Sequence, residues 1–372
     1  ANLTFLTGVA MIELALACWA AGDLDATEAS LLEAREILTA NESAYDLARV
    51  IFLLAVIDDR QKKNQSSKTW LEACDHILKG GFFFILERKR TLAFPLLASH
   101  LRSRNARARS AAENMLQHLL RVAPPPLRIN ALGQFAVWQS RRLIPDNAWG
   151  RRKAGELTRY LLLKPNHSAG REEVLDSLWP ESSPSTAMAQ FHQATSTLRH
   201  ILEPDLPDKF PSRYLTVEGE RVYLNLPPGS VVDFERFEQI LPPAMRSMAV
   251  DDLEQALSLY TGELFPMDRY NDWSASRRES IEELYQRGLL ALGQAYFQQK
   301  QFFESLECAR KILSRDSWNE DAVLLGMQSY VNLRDAPRAL RLYMDLEDTL
   351  SKELNLKPRA DLRTLAQELR QR

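Results

Sequence analysis

Three consecutive prolines, Pro124-Pro125-Pro126, divide the chain into stretches of different rhythm. Proline holds φ near −65° and donates no backbone N–H, so three in a row make a stiff extended spacer. Before them, apolar residues recur at helical spacing. Leu3 to Ala21, Asp25 to Thr39, Tyr45 to Asp58, Lys68 to Leu78, Arg88 to His100 and Ala106 to Leu120 each show it, separated by polar or glycine-containing breaks. AAGDLDATEASLLEAREIL has the form of a helical hairpin, with small residues where two backbones approach. The stretch up to about residue 122 therefore reads as a short α-solenoid of tetratricopeptide character. Within it, Gly80–Ile85 carries three aromatics in a row, Phe82 to Phe84, readable as a plug between helices or as the lining of a small-molecule pocket. The basic strings Arg88-Lys89-Arg90 and Arg102, Arg104, Arg107, Arg109 read as solvated faces, with a contact to nucleic acid or a neighbouring domain as the alternative.

After the prolines the period changes. Leu127 to Asn130, Gly133 to Gln139 and Arg142 to Ile144 have strand lengths with turn signals between them, and predict a small antiparallel sheet. Helical rhythm returns over Arg152 to Leu163, with Ala154, Leu157, Tyr160, Leu161 and Leu162 inward. It recurs over Arg171 to Trp179, with Val174, Leu175, Leu178 and Trp179 inward, until Pro180 stops it. The next helix, Pro184 to Leu202, has Ser183 as N-cap and Pro184 in its first turn, where the missing N–H costs nothing. Ala187, Phe191, Ala194, Leu198, Ile201 and Leu202 fall in one stripe. Ala189, His192, Gln193, Ser196, Arg199 and His200 fall opposite, a short, hydrogen-bonding face free of acid. Such a face fits a DNA major groove, where polar side chains meet base edges and basic ones meet phosphates. Read alone, it also fits an ordinary amphipathic surface helix. Beyond Pro204, Tyr214–Val217 and Arg221–Leu226 alternate around Glu218-Gly219-Glu220 and predict a hairpin with a tight turn.

A sheet, three helices and a terminal hairpin make a winged helix-turn-helix, the second and third helices forming the reading pair. The spellings LWP, FHQATSTLRHIL and RYLTVEGERVYLNL resemble the winged helices of OmpR/PhoB-type regulators, and more narrowly the Streptomyces antibiotic regulatory protein group. Pro227-Pro228-Gly229 closes this part, and Val232-Asp233-Phe234 opens another helical one. There two hairpins repeat with an offset of 34 residues: Leu290/Leu324, Gly293/Met327, Tyr296/Tyr330, Ser305/Ala339 and Ala309/Tyr343. That is the tetratricopeptide period, and it matches positions where small and aromatic residues pack successive helices. LSLYTGELFP, ESIEELYQRGLLAL, NEDAVLLGMQSYVNLRDAPRALRLYMDL and LSKELNLKPRADL resemble the bacterial transcriptional activator domain, which follows the winged helix in that regulator group. The resemblance covers about residues 127–372.

The predicted fold class is mainly α, with tetratricopeptide-like helical arrays flanking a small α+β winged helix. The expected domains are a helical input or linker domain at 1–123, a DNA-binding domain at 127–230 and an activator domain at 231–372. Over the whole chain the formal net charge is only −2, but it divides into about +1, +2 and −5 over residues 1–126, 127–230 and 231–372. Any grip on DNA must come from local placement of basic residues, with a steep dependence on salt.

For that grip the expected residues are Ala189, for a thymine methyl, and His192, Gln193 and Ser196, for base edges. Arg199 is expected on a phosphate, Thr186 and Thr195 on the backbone, Arg213 and Arg221 on the wing, and Arg151, Arg152 and Lys153 clamping a strand. The resemblance further implies tandem binding to promoter direct repeats, and a loop between the second and third helices that meets RNA polymerase, with Glu181 as its polar contact. The helix is poorer in arginine than those of the group it resembles.

No phosphate-binding, dinucleotide or zinc-protease motif occurs, and no acidic receiver pocket precedes the winged helix. Cys18, Cys74 and Cys308 are scattered, which suits thiols in a reducing cytoplasm. His192 and His200, eight apart, lack nearby acids or thiols for a metal. No enzyme, cofactor or metal site is expected, and no membrane contact, because no apolar run reaches the length of a span and no signal peptide opens the chain. Ala1 is not Met and already lies in helical rhythm, which predicts a longer protein. The reading is therefore a cytoplasmic, DNA-binding transcriptional activator, self-associating and open to a small-molecule inducer. Its rival is a helical-repeat scaffold, or a sensor at Phe82–Phe84, whose winged helix binds protein.

Overall fold

The computed structural model describes residues 2–149, 152–207, 210–353 and 355–371; the side chains of Asn2 and Arg152 are not among them. The fold is mainly α, with helical repeats and two small sheets. The chain divides into two compact units, one holding residues 1–124 and 196–216, the other 125–195 and 217–372. The chain passes from one unit to the other after Pro124, again inside the Pro184–Leu202 helix, and again after Thr216.

The first unit is built from α1 (Asn2–Ala21), α2 (Leu24–Ala40), α3 (Ala44–Arg60), α4 (Ser66–Gly80), α5 (Phe84–Arg88), α6 (Arg90–Leu101) and α7 (Ala106–Arg121). Short polar side chains set the starts. The Asp23 carboxylate accepts the Ala26 N–H at 2.9 Å, and the Asn105 side-chain oxygen accepts those of Arg107 and Ala108. α3 is buried almost all round, from Val50 to Asp58, and forms the centre of the core. Trp70, fully buried, donates its Nε1–H to the Ala108 carbonyl at 3.1 Å and so ties α4 to α7. Burying a side chain of this size contributes about 2–3 kcal/mol.

Two expectations are corrected here. The periodicity predicts one helix from Arg88 to His100, but the backbone leaves the helical region at Lys89 and separates α5 from α6. The composition predicts no span-length apolar helix, yet Leu3–Ala21 of α1 is long and apolar enough to cross a membrane by length and composition, at mean hydropathy 1.8. Thr4, Thr7 and Glu13 interrupt the apolar run without bringing down its average. α1 packs on α2, with Ile12 and Ala15 fully buried and Leu3, Leu6 and Leu14 exposed.

The second unit begins with β1 (Leu127–Asn130), β2 (Ala136–Gln139) and β3 (Arg142–Leu143), antiparallel neighbours as expected. The other edge of β1 is taken by β7 (Val231–Val232), which runs parallel and gives the order β3-β2-β1-β7. α8 (Arg152–Leu162), β4 (Ser168–Gly170), α9 (Arg171–Leu178) and α10 (Pro184–Leu202) follow, then β5 (Leu215–Glu218) and β6 (Arg221–Leu224). The second sheet has the order β4-β6-β5, so the predicted hairpin gains a third strand that periodicity missed because it is three residues long. Gly219 turns that hairpin at φ 57°, a left-handed conformation that glycine adopts freely.

Seven more helices complete this unit: α11 (Asp233–Ser247), α12 (Val250–Leu257), α13 (Asp272–Gln298), α14 (Phe302–Leu313), α15 (Glu320–Asn332), α16 (Ala336–Glu353) and α17 (Ala360–Gln371). α13 packs on α14, α14 on α15 and α15 on α16, the stacked hairpins that the 34-residue offset predicts. Ser305 and Ser329 meet where α14 and α15 touch, Oγ to Oγ at 3.1 Å and fully buried.

This helical part is stitched to the first sheet. The Asp233 carboxylate accepts the N–H groups of Ala131 and Leu132 at 2.9–3.0 Å. In the Tyr260–Pro266 turn, Thr261 donates its hydroxyl to the Leu132 carbonyl, and the Phe265 N–H bonds to the Ala131 carbonyl. Backbones approach so closely here that a Cβ on Gly262 would lie 2.7 Å from the Gly133 Cα.

Candidate nucleic-acid interface

α10 is positioned by its apolar stripe. Ala187, Phe191, Ala194, Leu198, Ile201 and Leu202 are all buried, and Phe191 meets Trp179 at the end of α9 edge to face at 6.5 Å. Ser183 caps the helix by accepting the Thr186 N–H, and its hydroxyl also pairs with that of Thr186 at 2.9 Å. The helix therefore cannot roll without exposing apolar surface, and its opposite face is held outward.

On that face Ala189, His192, Gln193 and Ser196 are all exposed, and Arg199 is half-buried with its Nε turned away from solvent. No acidic residue occurs between Pro184 and Leu202. Thr195 is turned inward instead: it is buried and donates its hydroxyl to the His192 carbonyl at 3.0 Å. A threonine hydroxyl satisfied by its own helix is poorly placed to reach outward.

The basic residues expected around the helix have unequal fates. Arg221 lies exposed on β6, with Nη2 donating to the Ser168 hydroxyl at 3.2 Å. Lys153, at the start of α8, folds over the Trp179 ring, donates to the Leu178 carbonyl and pairs with Glu156 at 3.0 Å. Arg213 is not on the hairpin surface at all. Its side chain is 8% exposed, its Nε donates to Glu203 at 3.0 Å and its Nη1 to the Val122 carbonyl at 2.9 Å. Burying an arginine requires pairing it, and Glu203 supplies the charge. Arg151 and the Arg152 side chain lie outside the described residues. Glu181 is exposed in the turn between α9 and α10.

Two further residues that sequence reasoning passed over fix the frame of this site. Arg159 on α8 and Asp268, in the turn before α13, pair out of contact with solvent. Nothing in their spacing signals the pair, because the two residues are far apart in sequence. The aromatic run Phe82–Phe84 is filled by its neighbours. Phe82 and Phe84 pack around Tyr45 at 5.5 and 5.4 Å, and Phe83 stacks on His118 at 3.9 Å.

Residues 232–370 match the bacterial transcriptional activator domain, a family of transcription regulation and not an enzyme class. The chain is similar to the regulatory protein AfsR of Streptomyces coelicolor, 26% identical over 258 residues, which cover 66% of this chain and 24% of that protein. The chain thus spans about a quarter of that relative's length. Its fold is similar to that of EmbR of Mycobacterium tuberculosis, solved with a low-affinity phosphopeptide. The TM-score is 0.57 at 20% identity, over 66% of this chain and 65% of that one.

Proposed function

We propose that this protein is a transcriptional activator that binds double-stranded DNA in a sequence-specific manner, acting in the cytoplasm, with α10 in the major groove. The observation that carries this reading is the outward face of α10: Ala189, His192, Gln193 and Ser196 stand exposed on a helix that is free of acid and locked from behind. His192, Gln193 and Ser196 hydrogen-bond base edges, and Ala189 meets a thymine methyl. Thr186, at the N-terminal end, and Arg199 contact the phosphate backbone, and Arg221 on β6 contributes a further phosphate or minor-groove contact. A neighbouring stretch that matches an activator domain makes regulation of transcription the natural use of such a helix. The proposed organisation is a helical input region at 1–123, the DNA-binding winged helix at 127–230 and the activator domain at 231–372. Tandem copies occupy direct repeats at a promoter, the chains associate with one another, and the loop carrying Glu181 faces RNA polymerase. An inducer, if small, acts through the helical regions.

The test is binding of the whole chain to a fluorescent random-sequence duplex over a range of salt, beside the triple variant His192→Ala/Gln193→Ala/Arg199→Ala. A steep negative dependence on salt that the variant weakens supports the reading. Negligible binding by both at low salt overturns it in favour of a protein-binding scaffold.

A further inference from the structure

We propose that the groove between α12 and α14, floored by α13, is a binding site for a small organic cation with an aromatic or apolar body. The proposal is independent of the assignment of α10, because every residue in it lies between Ala249 and Arg315 of the second unit. It starts from a stripe on α13. Tyr285, Leu289, Leu292 and Tyr296 follow one another at helical spacing and so fall on one face of that helix. α12 and α14 both pack on α13, and the stripe lines the gap between them. Leu289 and Leu292 form a buried floor together with Leu257 of α12 and Cys308 of α14. Phe303 of α14 is 60% exposed at the rim and offers a further aromatic ring. The cavity measures about 560 Å³, a size that takes a drug-like molecule.

Charge selects the ligand. Among the described residues that line the cavity, Glu254, Glu304 and Glu307 stand against a single cation, Lys311. Glu307 pairs with Arg310 at 2.5 Å, and Glu254 accepts the Tyr296 hydroxyl, so Glu254 and Glu304 keep charges that no ion pair among the described residues consumes. Their field reaches the walls and the floor. Burial, with the charges of Glu254 and Glu304, holds the Tyr296 hydroxyl well above its ordinary value. Burial likewise pushes the Cys308 thiol up to about 11, with Lys311 opposing and Glu254 and Glu307 adding to the rise. The two ends of the groove differ. At one, Tyr285 stacks on Tyr260 at 3.9 Å, and Arg315 lies beside both rings with its charge met by Glu282 at 2.6 Å. That end already has its cation. At the other, past Glu254 and Tyr296, the groove opens into a hollow bounded by Asp251, Gln299 and Gln301. An ammonium group placed there meets carboxylates and a tyrosine ring together, while its apolar body covers Leu289 and Leu292. An anion at the same place meets repulsion.

The experiment titrates the whole chain, without DNA, with phenethyltrimethylammonium and separately with hydrocinnamate, which carries a similar ring on an anion, each followed by ligand-observed NMR. The expected result is saturable binding of the cation with a Kd of about 1 mM or tighter, and binding of the anion weaker by about tenfold or more. Glu254→Gln/Glu304→Gln, at two exposed positions, should weaken the cation by about tenfold without weakening the anion. Phe303→Ala, also at an exposed position, should weaken the cation by about threefold. No saturable binding of the cation overturns the site. So does equal binding of the two probes, or a cation affinity that the double glutamate variant leaves unchanged. If that variant loses its helical circular dichroism, Phe303→Ala decides: a lowered cation affinity supports the site, and an unchanged one overturns it.

Discussion

Arg159 and Asp268 form a bidentate ion pair out of reach of water, with side chains 5% and 1% exposed. The arginine Nη2 donates to one carboxylate oxygen at 3.1 Å and Nε to the other. Asn271 adds a bond to the same carboxylate, and Phe135 lies under the guanidinium at 5.1 Å. The pair joins α8 to the turn that launches α13, so the sheet-bearing and helical parts of this unit share one buried electrostatic centre. Breaking such a pair from one side leaves an uncompensated charge. Arg159→Ala should therefore cost about 3–5 kcal/mol in urea unfolding. The joint replacement Arg159→Met/Asp268→Leu should recover most of that loss, and a double variant no more stable than the single one would refute the assignment.

Gly262 is the point where the Tyr260–Pro266 turn passes the Gly133 backbone. An added methyl would meet a backbone atom, which cannot rotate away as a side chain can. Gly262→Ala should lower stability by about 1–3 kcal/mol, seen as a fall in Tm by calorimetry. Gly219→Ala, with open space around its Cβ, carries only the cost of its left-handed backbone and should fall by less.

Base-reading and phosphate-contacting residues should separate by their response to salt. His192→Ala and Gln193→Ala should each cost about 1–3 kcal/mol in discrimination between duplex sequences and leave the salt slope nearly unchanged. Arg221→Ala should weaken all sequences alike and reduce the slope by about 1. Fluorescence anisotropy at several salt concentrations distinguishes the two patterns.

His100 predicts an acid-sensitive first unit. It is buried, stacked on Trp70 at 5.2 Å, with its Nε2 unsatisfied and Asp59 3.9 Å away. Burial lowers its pKa from the ordinary 6.5, and the Asp59 charge opposes that only in part. The folded state then favours the neutral ring. Its stabilising contribution is complete above pH 6.5 and is lost as pH falls through the depressed folded value. The thermal stability of the chain should fall on acidification below pH 6.5, and His100→Phe should flatten that dependence.

The cysteines should react in order of exposure. Cys74 and Cys308 are buried, and burial pushes the Cys308 thiol up to about 11 and Cys74 further still. Cys18 is half-exposed on α1. Iodoacetamide at neutral pH should label Cys18 in the folded chain and the other two only after denaturation, as mass spectrometry of digests would show.

Local pattern carried much of this architecture. A 3.6-residue apolar period needs only near neighbours to declare itself, so α8, α9, α10 and the stacked α13–α16 hairpins stand where their apolar positions place them, and Ser183 caps where a serine before a proline should. The outward set Ala189, His192, Gln193 and Ser196 follows from the same period, because burying one stripe exposes its opposite. Short elements escaped it: β4 and β7 are three and two residues long and exist only because β6 and β1 offer them an edge.

The sequence by itself determined which helices form, which faces they bury and that two arrays of them flank a small mixed region. Only the tertiary structure decided that Arg213 turns inward to Glu203 while Arg221 stays out, that Thr195 satisfies itself, and that Arg159 finds Asp268. A charged side chain reads the same in sequence whether it meets water or a partner brought from a hundred residues away. The choice lies in desolvation and pairing, and these exist only once the chain has closed around them.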